Sequence, residues 1–268
     1  KPSYEGFSIL EPEFPQASAP VGIVIKLGWF LMGRSRRNKL KRLVVLFLII
    51  TVPMSVLFYT AAQNRVASTV AEPVRQGDER SKQVAFTVNV DWGEEYIPGM
   101  LEVCRVSEAK LTFFLTGRWA DLHPDLARQI KDEGHEIGNH GYGHPHPDQL
   151  SVEQNRADIV RAENAIFQAT GHRPTLYAPP YGESGKAVLI AAENSGYTVV
   201  LWSLDTVDWK NRNRDAILDR VKTRMHNGAI LLMHPTEATA QALPEMLSFI
   251  GIEGLEPVTV SELIGKRK

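Results

Sequence analysis

Residues 136–144 read Glu136-Ile137-Gly138-Asn139-His140-Gly141-Tyr142-Gly143-His144. A short β-type run empties straight into two histidines four residues apart, split by two glycines and followed by Pro145. Imidazole nitrogens ligate zinc, cobalt or nickel, and two of them need one more anionic ligand to build an open catalytic site. Polar chemistry set directly past a strand is the habit of parallel α/β barrels, whose catalytic groups collect where the strands end.

The same arrangement recurs along the chain. Residues 84–90 (VAFTVNV), 111–115, 136–138, 176–178, 198–202, 229–233 and 257–260 have strand patterning. Residues 96–109, 124–132, 152–170, 186–194, 215–224, 240–249 and 260–264 have helical spacing, with Gly134, Gly171 and Gly196 as stops. Strands alternating with helices predict a parallel, barrel-like α/β fold. Asp91 follows the first strand, His140 and His144 the third, and Pro179-Pro180-Tyr181 the fourth. Asp205 and Asp208 follow the run ending near Trp202, and His234 follows the run 229–233. A common face gathers these groups. Several have another reading: His146 in place of His144 as ligand, His234 as a routine loop residue, Asp205 and Asp208 as helix N-caps, and the nearby Trp202 as core.

The chain has 268 residues, 43% hydrophobic and 23% charged, enough for one large domain and an extension. A net charge of −1 gives no basis for a nucleic-acid partner. The single cysteine, Cys104, excludes an intramolecular disulfide and sits in an apolar helix-like run, so it reads as core rather than nucleophile.

Arg34, Arg36, Arg37, Lys39, Lys41 and Arg42 cluster just before residues 43–62, a run of 20 without a charge. That length crosses a bilayer core, and the basic flank predicts a cytoplasmic N-terminus with the remainder outside. The expected layout is a basic cytoplasmic segment at 1–42, a transmembrane helix or signal anchor at 43–62, a polar linker at 63–83 and the domain at 84–268. Within the first segment, 1–31 reads as a disordered tail or an over-extended start before Met32. Thr60-Ala61-Ala62 offers a cleavage site for a secreted form.

Taken in order, five motifs between residues 84 and 264 resemble those of the polysaccharide deacetylases, carbohydrate esterase family 4. Thr87-Val88-Asn89-Val90-Asp91 stands where the family has Thr-Phe-Asp-Asp, and His140 and His144 match its His-x-x-x-His. Tyr177-Ala178-Pro179-Pro180-Tyr181-Gly182 is similar to its Arg-Pro-Pro-Tyr-Gly. Asp205-Thr206-Val207-Asp208-Trp209 matches its Asp-Trp, and Leu232-Met233-His234 its Leu-x-His. Trp92-Gly93 is similar to the membrane-anchored, sporulation-associated members of Gram-positive bacteria.

The resemblance implies a distorted (β/α)7 barrel of TIM type that removes N-acetyl groups from amino sugars of a wall polymer such as peptidoglycan or a chitin-like glycan. It implies a divalent metal, zinc with cobalt or nickel as alternatives, held by Asp91, His140 and His144, although one extra residue shifts the register of Asp91. The metal polarises the acetamide carbonyl and acidifies bound water. His234 is the implied acid, oriented by Asp208. Tyr181, Pro180, Trp209 and Leu232 are the implied groove, with the Tyr181 N–H as oxyanion donor. The implied partners are the glycan and, through the span, the membrane, for a monomeric domain.

Two positions depart from the pattern. The base aspartate aligns with Asn89, and the arginine that orients it aligns with Ala178. Hydrolysis with Asp91 or Asp205 as substitute base, a non-catalytic glycan-binding protein, and hydrolysis of another C–N bond are the readings that follow.

Overall fold

The computed structural model describes residues 39, 43, 47, 50–55 and 71–265, and the chain divides into two units, Lys1–Ser68 and Thr69–Lys268. Most of the expected basic segment, of the expected span at 43–62 and of the linker up to residue 70 lies outside the described residues. Lys39, Leu43, Phe47 and residues 50–55 are helical. Among the described residues no helix is long and apolar enough to cross a membrane.

The second unit is a parallel sheet curled into a partial barrel with helices outside. Its strands are β1 (Gln83–Val90), β2 (Thr112–Leu115), β3 (Glu136–Asn139), β4 (Leu176–Tyr177), β5 (Thr198–Val199), β6 (Leu204–Asp205), β7 (Ile230–Met233) and β8 (Glu256–Val258). Their order is β5-β4-β3-β2-β1-β7-β6, with β8 on the N-terminal part of β1. Residues 74–77 run from the end of β5 to the residues just before β7. Val74 bridges Val200, and the Gly77 N–H donates to the Gly228 carbonyl at 2.7 Å. The last part of the stretch read as linker thus belongs to the sheet.

Period-two alternation sorts the side chains. Val84, Phe86, Val88 and Val90 pack with the helix layer, while Ala85 joins Phe114, Leu176, Ala178, Val200 and Ile230 in the barrel interior. Every residue from Val84 to Val90 is buried, as expected for a central parallel strand covered on both faces. A side chain on Gly138 would lie 2.2 Å from the Phe114 ring, so Phe114 fills that interior level alone.

The helices are α1 (Ile97–Val106), α2 (Gly117–Leu122), α3 (Pro124–Asp132), α4 (Val152–Thr170), α5 (Lys186–Asn194), α6 (Arg214–Arg224), α7 (Glu237–Ile252) and α8 (Val260–Leu263). Helix α4 shows why such boundaries form. Ser151 and Gln154 make a capping box, Ile159, Ala162, Ile166 and Ala169 face inward at helical spacing, and Gly171 closes the helix at φ 70°. Two elements have no counterpart in the sequence expectation. β6 splits from the run ending near Trp202, and α2 follows β2 directly, capped by the Thr116 hydroxyl, which accepts from the Trp119 N–H.

Candidate active site

The interior-facing series on successive strands ends in a cleft of about 350 Å³ at the C-terminal ends of the strands. Asn89 and Asp91 come from β1 and its exit, His140 from the exit of β3, Asp205 from β6 and Leu232 from β7. His144, Tyr181, Trp209, Trp202, Trp92 and His234 complete the lining from the loops. Pro180 is buried in the 3-10 turn Pro180–Gly182, behind Tyr181.

Strained backbone concentrates here. His144, Tyr181 and Val207 all have φ between 55° and 60°, which for a β-branched valine is a sterically costly conformation. An Asp205 Oδ1 bond of 2.7 Å to the Val207 N–H holds that turn.

His140 is buried, and its Nδ1 lies 2.6 Å from the Ala178 carbonyl oxygen. A carbonyl only accepts, so Nδ1 carries the proton and Nε2 keeps its lone pair. Burial, aided by the neighbouring His144, pushes the His140 pKa down to about 3, and burial also lowers that of His144. Both rings are neutral at physiological pH, with centroids 5.0 Å apart. Asp158 on α4 fixes the loop between them by accepting from the Tyr142 N–H at 2.9 Å, and burial raises its pKa. His146 turns elsewhere, stacking on Tyr181 at 3.9 Å and pairing with Glu183 at 2.8 Å.

The pair to which the motifs assign the acid role is fully hydrogen-bonded. His234 Nδ1 lies 2.8 Å from Asp208 Oδ1, while Asp208 Oδ2 accepts from the His234 N–H at 2.7 Å and the Thr239 hydroxyl at 2.6 Å. Asp208 is wholly buried, so these donors carry its charge. The imidazole is thereby oriented, with Nε2 as its other nitrogen. Trp92 lies parallel to the His234 ring, with centroids 6.3 Å apart. Gly93 permits this approach: its φ is +84°, and a side chain there would sit 2.1 Å from the Pro235 carbonyl oxygen.

The opposite side is differently made. Asn89 is 6% exposed, and its carboxamide has no hydrogen-bond partner among the described residues. Val90 pairs with Leu115 in an unbroken ladder and packs toward the helices, so the extra residue of the motif puts Asp91 one pleat beyond the sheet. There Asp91 accepts from the Thr116 hydroxyl at 2.9 Å, and Arg118 Nη2 bridges both its oxygens at 2.8 and 2.7 Å. Among the described residues no three His, Cys, Asp or Glu side chains stand close enough together to hold a metal. Two neutral imidazoles suit such an ion, but the carboxylate that would complete the set is committed to a guanidinium, so the residues as arranged do not fit a three-ligand centre.

Thr116, Arg118 and Asp158 are the site residues that sequence reasoning missed. Thr116 and Arg118 follow β2 directly, so the strand-end rule applied to the other strands finds them. Asp158 lies mid-helix and gives no such signal. Trp202, read as core, both packs against the barrel interior and lines the cleft.

A family model described as polysaccharide deacetylase matches residues 76–200. The chain is 37% identical over 197 residues to an uncharacterized protein of Bacillus subtilis, covering 74% of this chain and 62%, less than two thirds, of that one. It is 30% identical over 197 residues to a peptidoglycan-N-acetylglucosamine deacetylase of Bacillus cereus, covering 72% of each. Among solved structures, a protein described as a CE4 family pseudoenzyme from Bacillus anthracis is 36% identical at a TM-score of 0.71, covering 74% of this chain and 70% of that chain. A mutant of that pseudoenzyme, described as having restored enzymatic activity, superposes with the same TM-score of 0.71.

Proposed function

The chain belongs to the polysaccharide deacetylase family, and from that membership we propose that its cleft binds the N-acetylated amino sugars of a peptidoglycan-type wall glycan. It lacks the proton-accepting half of the hydrolytic machinery, so retention of glycan rather than release of acetate is its main output. The observation that carries this reading is Asn89, a carboxamide at the strand end where a base is required. A carboxamide takes up no proton near neutral pH, and general-base assistance contributes about 10²–10⁴ in rate. The two carboxylates on the cleft wall are already engaged, Asp91 by Arg118 and Asp205 by the Val207 turn. Binding needs no base: Trp92, Trp209 and Tyr181 offer exposed aromatic faces around the Leu232 floor, and a sugar ring packs on such faces. The pseudoenzyme from Bacillus anthracis supports a barrel that outlasts its chemistry.

A second reading, slow metal-assisted acetyl hydrolysis, is favoured by the intact Asp208–His234 pair, in which His234 stands ready to protonate a leaving amine. The two readings share a binding test. Titrating the protein with N-acetylglucosamine tetramer and with its deacetylated counterpart should show roughly tenfold preference for the acetylated chain, a discrimination that one small group supplies. Trp209→Ala should weaken both. If neither oligomer bound, glycan recognition would be the wrong reading.

The anchor belongs to the same proposal, with residues 43–62 as a single membrane span and the barrel on the outer side. Leu43, Phe47 and Met54 are more than 60% exposed on the helical stretch. The Thr51 and Ser55 hydroxyls donate to the Phe47 and Thr51 carbonyls at 2.8 and 2.6 Å, which satisfies them without water. Alkaline extraction that freed the full chain from membranes would count against it.

A further inference from the structure

The Asp91 carboxylate already has a cation. Arg118 Nη2 bridges its two oxygens and the Thr116 hydroxyl donates to one of them, so most of its lone-pair capacity is used. The Arg118 side chain is half exposed, but the backbone that carries it is tied in place. The Arg118 N–H donates to the Tyr142 carbonyl at 3.0 Å, and the Gly117 N–H donates to the Gly141 carbonyl at 2.9 Å. The start of α2 is therefore stitched to the loop that carries His140 and His144. Gly117 permits the closeness, since a side chain there would lie 2.6 Å from the Tyr142 ring and 2.7 Å from Ala162 Cα. The same loop thus fixes the two imidazoles and the backbone that delivers the guanidinium.

We infer that Arg118 is the residue that sets metal occupancy in this cleft, its guanidinium standing as the resident cation of Asp91 and confining a divalent ion to the two histidines. A third, anionic ligand raises affinity for zinc, and a carboxylate neutralised by a fixed guanidinium is a poor one. A dication beside Arg118 also meets like charge. The arrangement differs from a vacant three-ligand site in one respect that can be measured: removing a residue should improve metal binding.

This inference rests on reading the cleft as the family's hydrolytic centre. Its test uses zinc alone, with no glycan, so failure of one leaves the other standing. Zinc chloride is titrated calorimetrically into the full chain, in detergent, as wild type, Arg118→Met, Arg118→Lys, and Arg118→Met combined with Asp91→Asn or with His140→Ala. Methionine keeps an apolar stem and drops the charge, and lysine keeps the charge should methionine fail to fold. Thermal melts report folding in each case. Arg118→Met should tighten zinc by at least roughly tenfold, the scale on which groups around a metal ligand act. Arg118→Lys should stay near wild type, and both double variants should lose the gain. Equal affinity in wild type and Arg118→Met, tightening by Arg118→Lys, or a gain that survives Asp91→Asn overturns the inference.

Discussion

The two sides of the cleft keep their carboxylates in different company. On one side Asp208 is wholly buried and serves three donors at once: the His234 N–H, the His234 ring and the Thr239 hydroxyl at the start of α7. On the other, the Asn89 carboxamide bonds to nothing among the described residues, and Asp91 answers to Arg118. Asp208 is a structural post whatever its part in the proposed chemistry, because its loss strands the His234 and Thr239 donors. Asn89 holds up no neighbour, so a change at position 89 costs the fold little. Chemistry can leave one side of such a site without disturbing the barrel, and cannot easily leave the other.

The largest effect expected from this contrast is kinetic. In a variant given back its base side, Asn89→Asp with Arg118→Met, adding His234→Ala should remove about 10²–10⁴ of the acetate-release rate. A double variant indifferent to His234 would mean that the acid side is ornamental. Next comes stability, read by urea denaturation. Asp208→Ala leaves buried donors unpaired and should cost about 3 kcal/mol, whereas Asn89→Ala should stay within about 1 kcal/mol. Equal costs would dissolve the distinction between post and free position. Smaller still is a glycine pair. Gly93→Ala on the acid side meets the Pro235 carbonyl at positive φ and should cost about 2 kcal/mol. Gly143→Ala, between the histidines, has nothing within 4 Å and should be near neutral.

The barrel was legible because its signals are local. β1 is a β-rich run interrupted only by Thr87 and Asn89, α4 carries Ser151, Gln154 and Gly171 at its ends, and five of the seven expected strands ran into a polar group. β6 was hidden because a two-residue strand has no periodicity to read. Helix α7 runs from Glu237 to Ile252, longer at both ends than the expected 240–249, because Thr236 caps an earlier start and the helix packs along α6. The acid side was legible for the same local reason, with Asp208 and His234 each just past a strand. The fate of Asp91 was not. Which cation it meets depends on Arg118, 27 residues away, brought in by the stitching of α2 to the histidine loop. A motif shows which groups reach a cleft, and only the packing shows which of them are already engaged.

Acetate release from N-acetylglucosamine tetramer in the presence of zinc tests the central claim most directly. It compares the wild-type chain with Asn89→Asp combined with Arg118→Met. A cleft with an intact acid side and a disabled base side predicts that the wild type stays near the blank and the double variant rises at least about 10²-fold above it. Acetate release by the wild type at a rate that the double variant does not exceed would contradict it.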